Sequence, residues 1–147
     1  MNRDQILRLR GRPAILWVLL AVLGQLAVRA AIGGVALLMA PSGEIVGLSS
    51  APLDRTPFGD FFVPGSILLV VFGFVPAVVC YALYTRRWWG WITSVGVAVA
   101  MLVWVLVEVT VGFERPTIYL NLATAGAILV LAVHPEVRHD RPDPQKS

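Results

Sequence analysis

Four apolar stretches, at about 14–40, 61–84, 88–113 and 117–133, dominate the chain, and each is flanked by polar or charged residues. About 20 residues at a 1.5 Å helical rise cross a hydrocarbon core roughly 30 Å thick. A segment inside that core must satisfy its own backbone hydrogen bonds, which leaves the α-helix as the local structure open to each stretch. The fold class expected is therefore an all-α membrane protein, a bundle of four transmembrane helices. Composition points the same way: 57% of residues are hydrophobic and 14% charged, against about 25% charged in ordinary soluble domains. Ten prolines and thirteen glycines suit spanning helices, where neighbouring helices re-satisfy freed backbone groups.

Basic residues decide the orientation, because cytoplasmic loops are enriched in Lys and Arg. Nine of the twelve gather on one side: Arg3, Arg8, Arg10, Arg12, Arg86, Arg87, Arg138, Arg141 and Lys146. Arg55 and Arg115 lie on the other, in company with Glu44, Asp54, Asp60 and Glu114. With an even number of crossings, both termini are expected in the cytoplasm and the protein in the inner (plasma) membrane as a multi-pass chain. The N-terminal arginines with small residues at Val28 to Ala30 also resemble a secretory leader. Continued apolar character through residue 40 suits an uncleaved first span better. The excess of positive charge sits beside apolar runs and not along one face, so a nucleic-acid partner is not expected.

The long external connection, residues 41–58, carries Pro41, Gly43, Gly47, Pro52 and Pro57 and reads as a loop with room for one helical turn around 50–54. Thr56 before Pro57 has the composition of a helix N-cap and first turn, so the second helix is expected to start there and enter the membrane near Phe61. Pro76, inside that helix, predicts a kink. The short turns at Thr85 to Trp89 and Glu114 to Thr117 make the second and third, and the third and fourth, helices antiparallel neighbours. One domain, 1–133, is expected. The stretch 134–147, with little to bury, is expected to be a disordered cytoplasmic tail.

Ionisable residues inside a bilayer cost roughly 2.5–3.5 kcal/mol on insertion scales and usually face the bundle interior. Arg29 falls about 24 Å along the first helix from its cytoplasmic start, and Glu108 about 7–8 Å below the external end of the third. Both are then at similar depth in the outer leaflet. Gln25 precedes Arg29 by one turn, Trp104 and Thr110 neighbour Glu108, and Asp60, Tyr119 and Asn121 enter at the same level. An outward-facing polar cluster of Gln25, Arg29, Asp60, Glu108, Tyr119 and Asn121 is the expected ligand-binding or structural site. Its bland form is an Arg29–Glu108 ion pair that lets two helices recognise each other. Its functional form binds an ion, a lipid headgroup or a small polar ligand; snorkelling of Arg29 to the interface is the third reading.

Other features carry less chemistry. Trp88, Trp89 and Trp91 beside Arg86 and Arg87 form an aromatic and basic belt at the cytoplasmic interface. Small residues four apart, Gly96 with Ala100, Gly73 with Ala77 and Ala123 with Ala127, allow close helix contact within the bundle or with a second copy. Cys80 is a small packing residue. His134 and His139 match no metal spacing. No phosphate-binding glycine loop, HExxH or Gly-x-Ser-x-Gly elbow occurs, so no cofactor, metal or catalytic residue is expected.

The segment PSGEIVGLSSAPLDRTPFGDFFVPG from Pro41 to Gly65, and the later WVLVEVTVGF, resemble a pattern in small uncharacterised bacterial integral membrane proteins. That resemblance covers about a third of the chain and implies a four-helix membrane protein without supplying an activity. The function expected is a non-enzymatic accessory or ligand/lipid-binding membrane protein. Membrane lipid is the first partner, with a homo-oligomer or a second membrane protein after it. The alternative is a small transporter or channel component in which Glu108 binds a proton or cation. A lipid-modifying enzyme using Asp60 or Glu108 as general acid or base ranks below both, for want of a nucleophile.

Overall fold

The computed structural model of the protein describes residues 8–9, 12–49, 51–113 and 115–139. The fold is all-helical apart from a two-residue antiparallel pairing of Arg8–Leu9 with Arg12–Pro13. Helix α1 spans Ala14–Met39, α2 Phe62–Tyr84, α3 Gly90–Val111 and α4 Pro116–Ala132; a single turn and a half, α5, covers Pro135–His139. The first three are long and apolar enough to cross a membrane, and α4 is apolar and shorter, at 17 residues. Of the sequence features weighed above, Arg3, Arg10, Glu114, Arg141, Lys146 and the stretch 140–147 lie outside the described residues.

Local chemistry explains where the helices stop. The Asp60 carboxylate accepts from Phe62 N–H at 3.0 Å and opens α2. Thr56 does not cap that helix as expected: its hydroxyl donates to Leu53 O and accepts from Phe58 N–H, closing a tight turn four residues earlier. Gly112 ends α3 at φ 97°, with Phe113 N–H on Glu108 O at 2.9 Å. At the end of α2 the same left-handed position is filled by Arg86, φ 59°, and Arg87 N–H returns to Ala82 O at 2.8 Å.

Pro76 does not break α2; it changes its winding. The helix runs as α over Phe62–Ile67, widens to a π-helix over Leu68–Phe74 and returns to α over Val75–Tyr84. Proline has no N–H to give the carbonyl four residues back and its ring crowds it. Shifting the preceding ladder to five-residue spacing, seen in Val75 N–H on Val70 O, accommodates that defect inside a continuous helix.

Each long helix packs on its chain neighbours, and α4 closes back on α1, so α1 and α3 lie across from each other. The buried row of α1, Leu16, Leu19, Leu23, Leu26, Ala30, Gly34 and Leu37, recurs every three or four residues and faces Phe72, Val79 and Leu83 of α2, Met101 of α3 and Ala125 and Ile128 of α4. Glycine brings α1 and α2 close. A Cβ on Gly34 would stand 2.7 Å from Leu69 Cβ, and one on Gly65 2.7 Å from Leu37 Cβ. Gly96, by contrast, has nothing within 4 Å of where a Cβ would be.

The connection between α1 and α2 folds over the helix ends. A 3₁₀ turn at Ala51–Arg55 drops Leu53 beside Leu37 and Phe61, and Phe61 meets Phe113 at 5.9 Å between ring centroids. Arg115 secures the far side by donating to Val46 O at 3.2 Å. At the opposite end, α5 corrects the expectation of an unstructured stretch from residue 134: Val137, 3% exposed, is part of the main core. One apolar residue placed a turn beyond α4 is enough to hold that segment against α1 and α4.

Candidate functional site

The polar side chains of α1 and α4 meet along their shared seam. Gln25 and Arg29 stand one turn apart on α1, and Arg29 Nε donates to Gln25 Oε1 at 2.8 Å. Asn121 and Thr124 stand three residues apart on α4. Arg29 Nη1 donates to Asn121 Oδ1 at 3.2 Å, and Nη2 to Thr124 Oγ1 at 3.3 Å. Gln25 Nε2 donates to the same hydroxyl at 3.3 Å. Thr124 commits its own proton to Leu120 O at 2.8 Å, so its lone pairs face the arginine and the glutamine.

Arg29 thus holds three neutral acceptors and, among the described residues, makes no carboxylate contact. Glu108 is near but separate. Its Oε2 is sealed and has no hydrogen-bond partner among the described residues, while Trp104, Asn121 and the Arg115 charge lie near enough to act on the carboxyl group. The direct Arg29–Glu108 pair expected from depth is not made: α1 and α3 are diagonal in the packing, and Arg29 turns to Asn121 of α4, a residue that also acts on the Glu108 carboxyl group. At 1.5 Å per residue Arg29 also lies about 15 Å below the end of α1 and Glu108 about 5 Å below the end of α3.

Of the six residues expected in one cluster, Gln25, Arg29 and Asn121 converge and Glu108 adjoins them. Asp60 stands apart as the cap of α2. Tyr119, 76% exposed, projects from the outer face of α4, because two residues along a helix is about 200° of rotation away from Asn121. Thr124 is a full member that sequence reasoning missed; the available signal was a hydroxyl three residues after Asn121 in an otherwise apolar helix. Thr110, neighbour to Glu108 in sequence, turns outward and bonds its own helix at Leu106 O.

Along the seam Gln25 is exposed and Arg29 half-buried, whereas the α1–α2 connection covers the nearby helix ends. Among the described residues no three His, Cys, Asp or Glu side chains converge. The arrangement offers hydrogen-bond donors and a positive charge, which recognise an acceptor-rich, anionic group. No protein-family model, curated protein or solved structure matches the chain.

Proposed function

We propose that the protein is a four-span membrane protein of the inner (plasma) membrane, with both ends cytoplasmic, and that it acts as a non-enzymatic binding or accessory protein whose Gln25–Arg29–Asn121–Thr124 seam holds an anionic ligand. The carrying observation is Arg29: a guanidinium well inside an apolar helix whose contacts are all neutral. A charge at that depth is costly, and among the described residues its three hydrogen bonds all go to neutral groups. Three apolar helices of spanning length and a shorter antiparallel one support four crossings, with the arginine distribution supporting the orientation. The test is a thermal-shift panel of anionic and neutral ligands on detergent-purified wild type and Arg29→Gln. Stabilisation by anions in the wild type alone is expected; equal response of both proteins refutes the site.

A second reading rests on Glu108, whose sealed Oε2 lacks a donor in the structure. It makes Glu108 the proton- or cation-binding carboxylate of a small transporter. Proteoliposome flux abolished by Glu108→Gln would establish it, and absence of flux in the wild type would remove it.

A further inference from the structure

We propose that the ligand of the seam is the phosphate of a glycerophospholipid headgroup, entering sideways from the bilayer between α1 and α4, with Arg29 as its oxyanion clamp. This rests on the reading of the seam as a ligand site and names what fills it.

A guanidinium has five N–H groups in a planar fork. Arg29 uses one on Nε, one on Nη1 and one on Nη2, so each terminal nitrogen keeps one donor without a partner among the described residues. Asn121 and Thr124 hold those two nitrogens in place, and the N–H group left on each can donate to a phosphate oxygen. A phosphodiester brings the single negative charge that no contacting side chain among the described residues supplies.

The route identifies the source. At the near ends of the helices Leu37, Leu53, Phe61 and Phe113 pack together, Arg115 at the start of α4 holds Val46, and Glu108 Oε2 is sealed. To the side, Gln25 is exposed, and Val28 and Ile32 of α1 present bare apolar surface, 59% and 67% exposed, for acyl chains to lie against. A molecule admitted this way needs an anionic head and an apolar body. Helix α1, at 26 residues, is about 39 Å long and exceeds the hydrocarbon core by roughly 9 Å, which leaves Arg29 about 10 Å beneath the external boundary. The bound headgroup is drawn below the plane of its neighbours, with Gln25, Thr124 and Asn121 replacing part of its lost water.

The test uses the full chain in detergent and native mass spectrometry. Wild type, Arg29→Lys, Arg29→Gln and Arg87→Gln are each offered phosphatidylglycerol, diacylglycerol of the same acyl composition, or inorganic phosphate, with thermal shift read in parallel. Expected is a phosphatidylglycerol adduct on wild type and Arg87→Gln, reduced about tenfold or more in Arg29→Gln. Arg29→Lys, which keeps the charge and the fold but loses the fork, should fall nearly as far. Neither diacylglycerol nor inorganic phosphate should bind. Protection by inorganic phosphate equal to that by the lipid overturns the lateral lipid route and leaves an anion site standing. Adducts indifferent to both Arg29 variants overturn the clamp, and no response to any probe overturns the ligand-site reading with it.

Discussion

Replacing Gly34 by alanine should cost stability although alanine is the better helix former. The added Cβ would lie 2.7 Å from Leu69 Cβ and 2.9 Å from both Leu69 Cα and N, where 3.4–4 Å is ordinary contact. Two of those three atoms are backbone, so no side-chain rotation relieves the clash, and α1 and α2 must part by about 0.5–1 Å. A gap of that size forfeits roughly a quarter to a half of each dispersion contact along the seam, and overpacking of this kind typically costs about 1–3 kcal/mol. Helix propensity returns up to about 1 kcal/mol, leaving a net loss of about 1–2 kcal/mol. The internal control is Gly96→Ala, where nothing lies within 4 Å of the new methyl; it should be neutral or slightly stabilising. Unfolding in mixed micelles of rising SDS content, followed by tryptophan fluorescence and circular dichroism, measures both. Equal stability of the Gly34 variant and wild type, or equal loss in both variants, would refute the close α1–α2 packing.

Double-mutant cycles should couple Arg29→Ala with Asn121→Ala by about 0.6 kcal/mol, the mean for membrane hydrogen bonds. Arg29→Ala with Glu108→Ala, which meet only through Asn121, should couple more weakly than that, and coupling as strong or stronger would restore a direct pair. Leu53→Ala, at a residue 4% exposed beneath the external connection, should cost about 2–3 kcal/mol and raise proteolysis between residues 41 and 58; an unchanged cleavage rate would mean the cap is not held by that contact. With Cys80 replaced by alanine, a cysteine at Ser49 should react with an impermeant maleimide in intact cells while one at Thr85 should not, and the reverse pattern would invert the proposed orientation.

What was legible in the sequence is local. Apolar length made the helices, and the turn from Thr85 to Trp89 is too short for anything but antiparallel packing of α2 on α3. Polar residues inside apolar runs were equally legible as candidates, which is why Gln25, Arg29, Asn121 and Glu108 could be singled out. Residues acting through a partner on another helix were harder to read. Depth along a helix is computable from residue number, and facing direction relative to three other helices is not. Asp60 stays at the start of α2, Tyr119 points away from the seam, and Thr124 was passed over although it accepts from two residues at once.

By itself the chain's order of residues determined that it would form apolar helices, where they would break, and which side chains would be costly to leave unsatisfied, since these depend on contacts within a few residues and on transfer from water. Only the tertiary structure decided that α4 would close on α1. That brought Asn121 and Thr124 to Arg29 and left the arginine with neutral partners among the described residues. The π-helical turn before Pro76 and the seat of Val137 were settled at the same level. The physical reason is shared: hydrocarbon rewards any greasy face equally, so the choice of neighbour falls to steric fit at glycines such as Gly34 and to the few polar groups that must find one another.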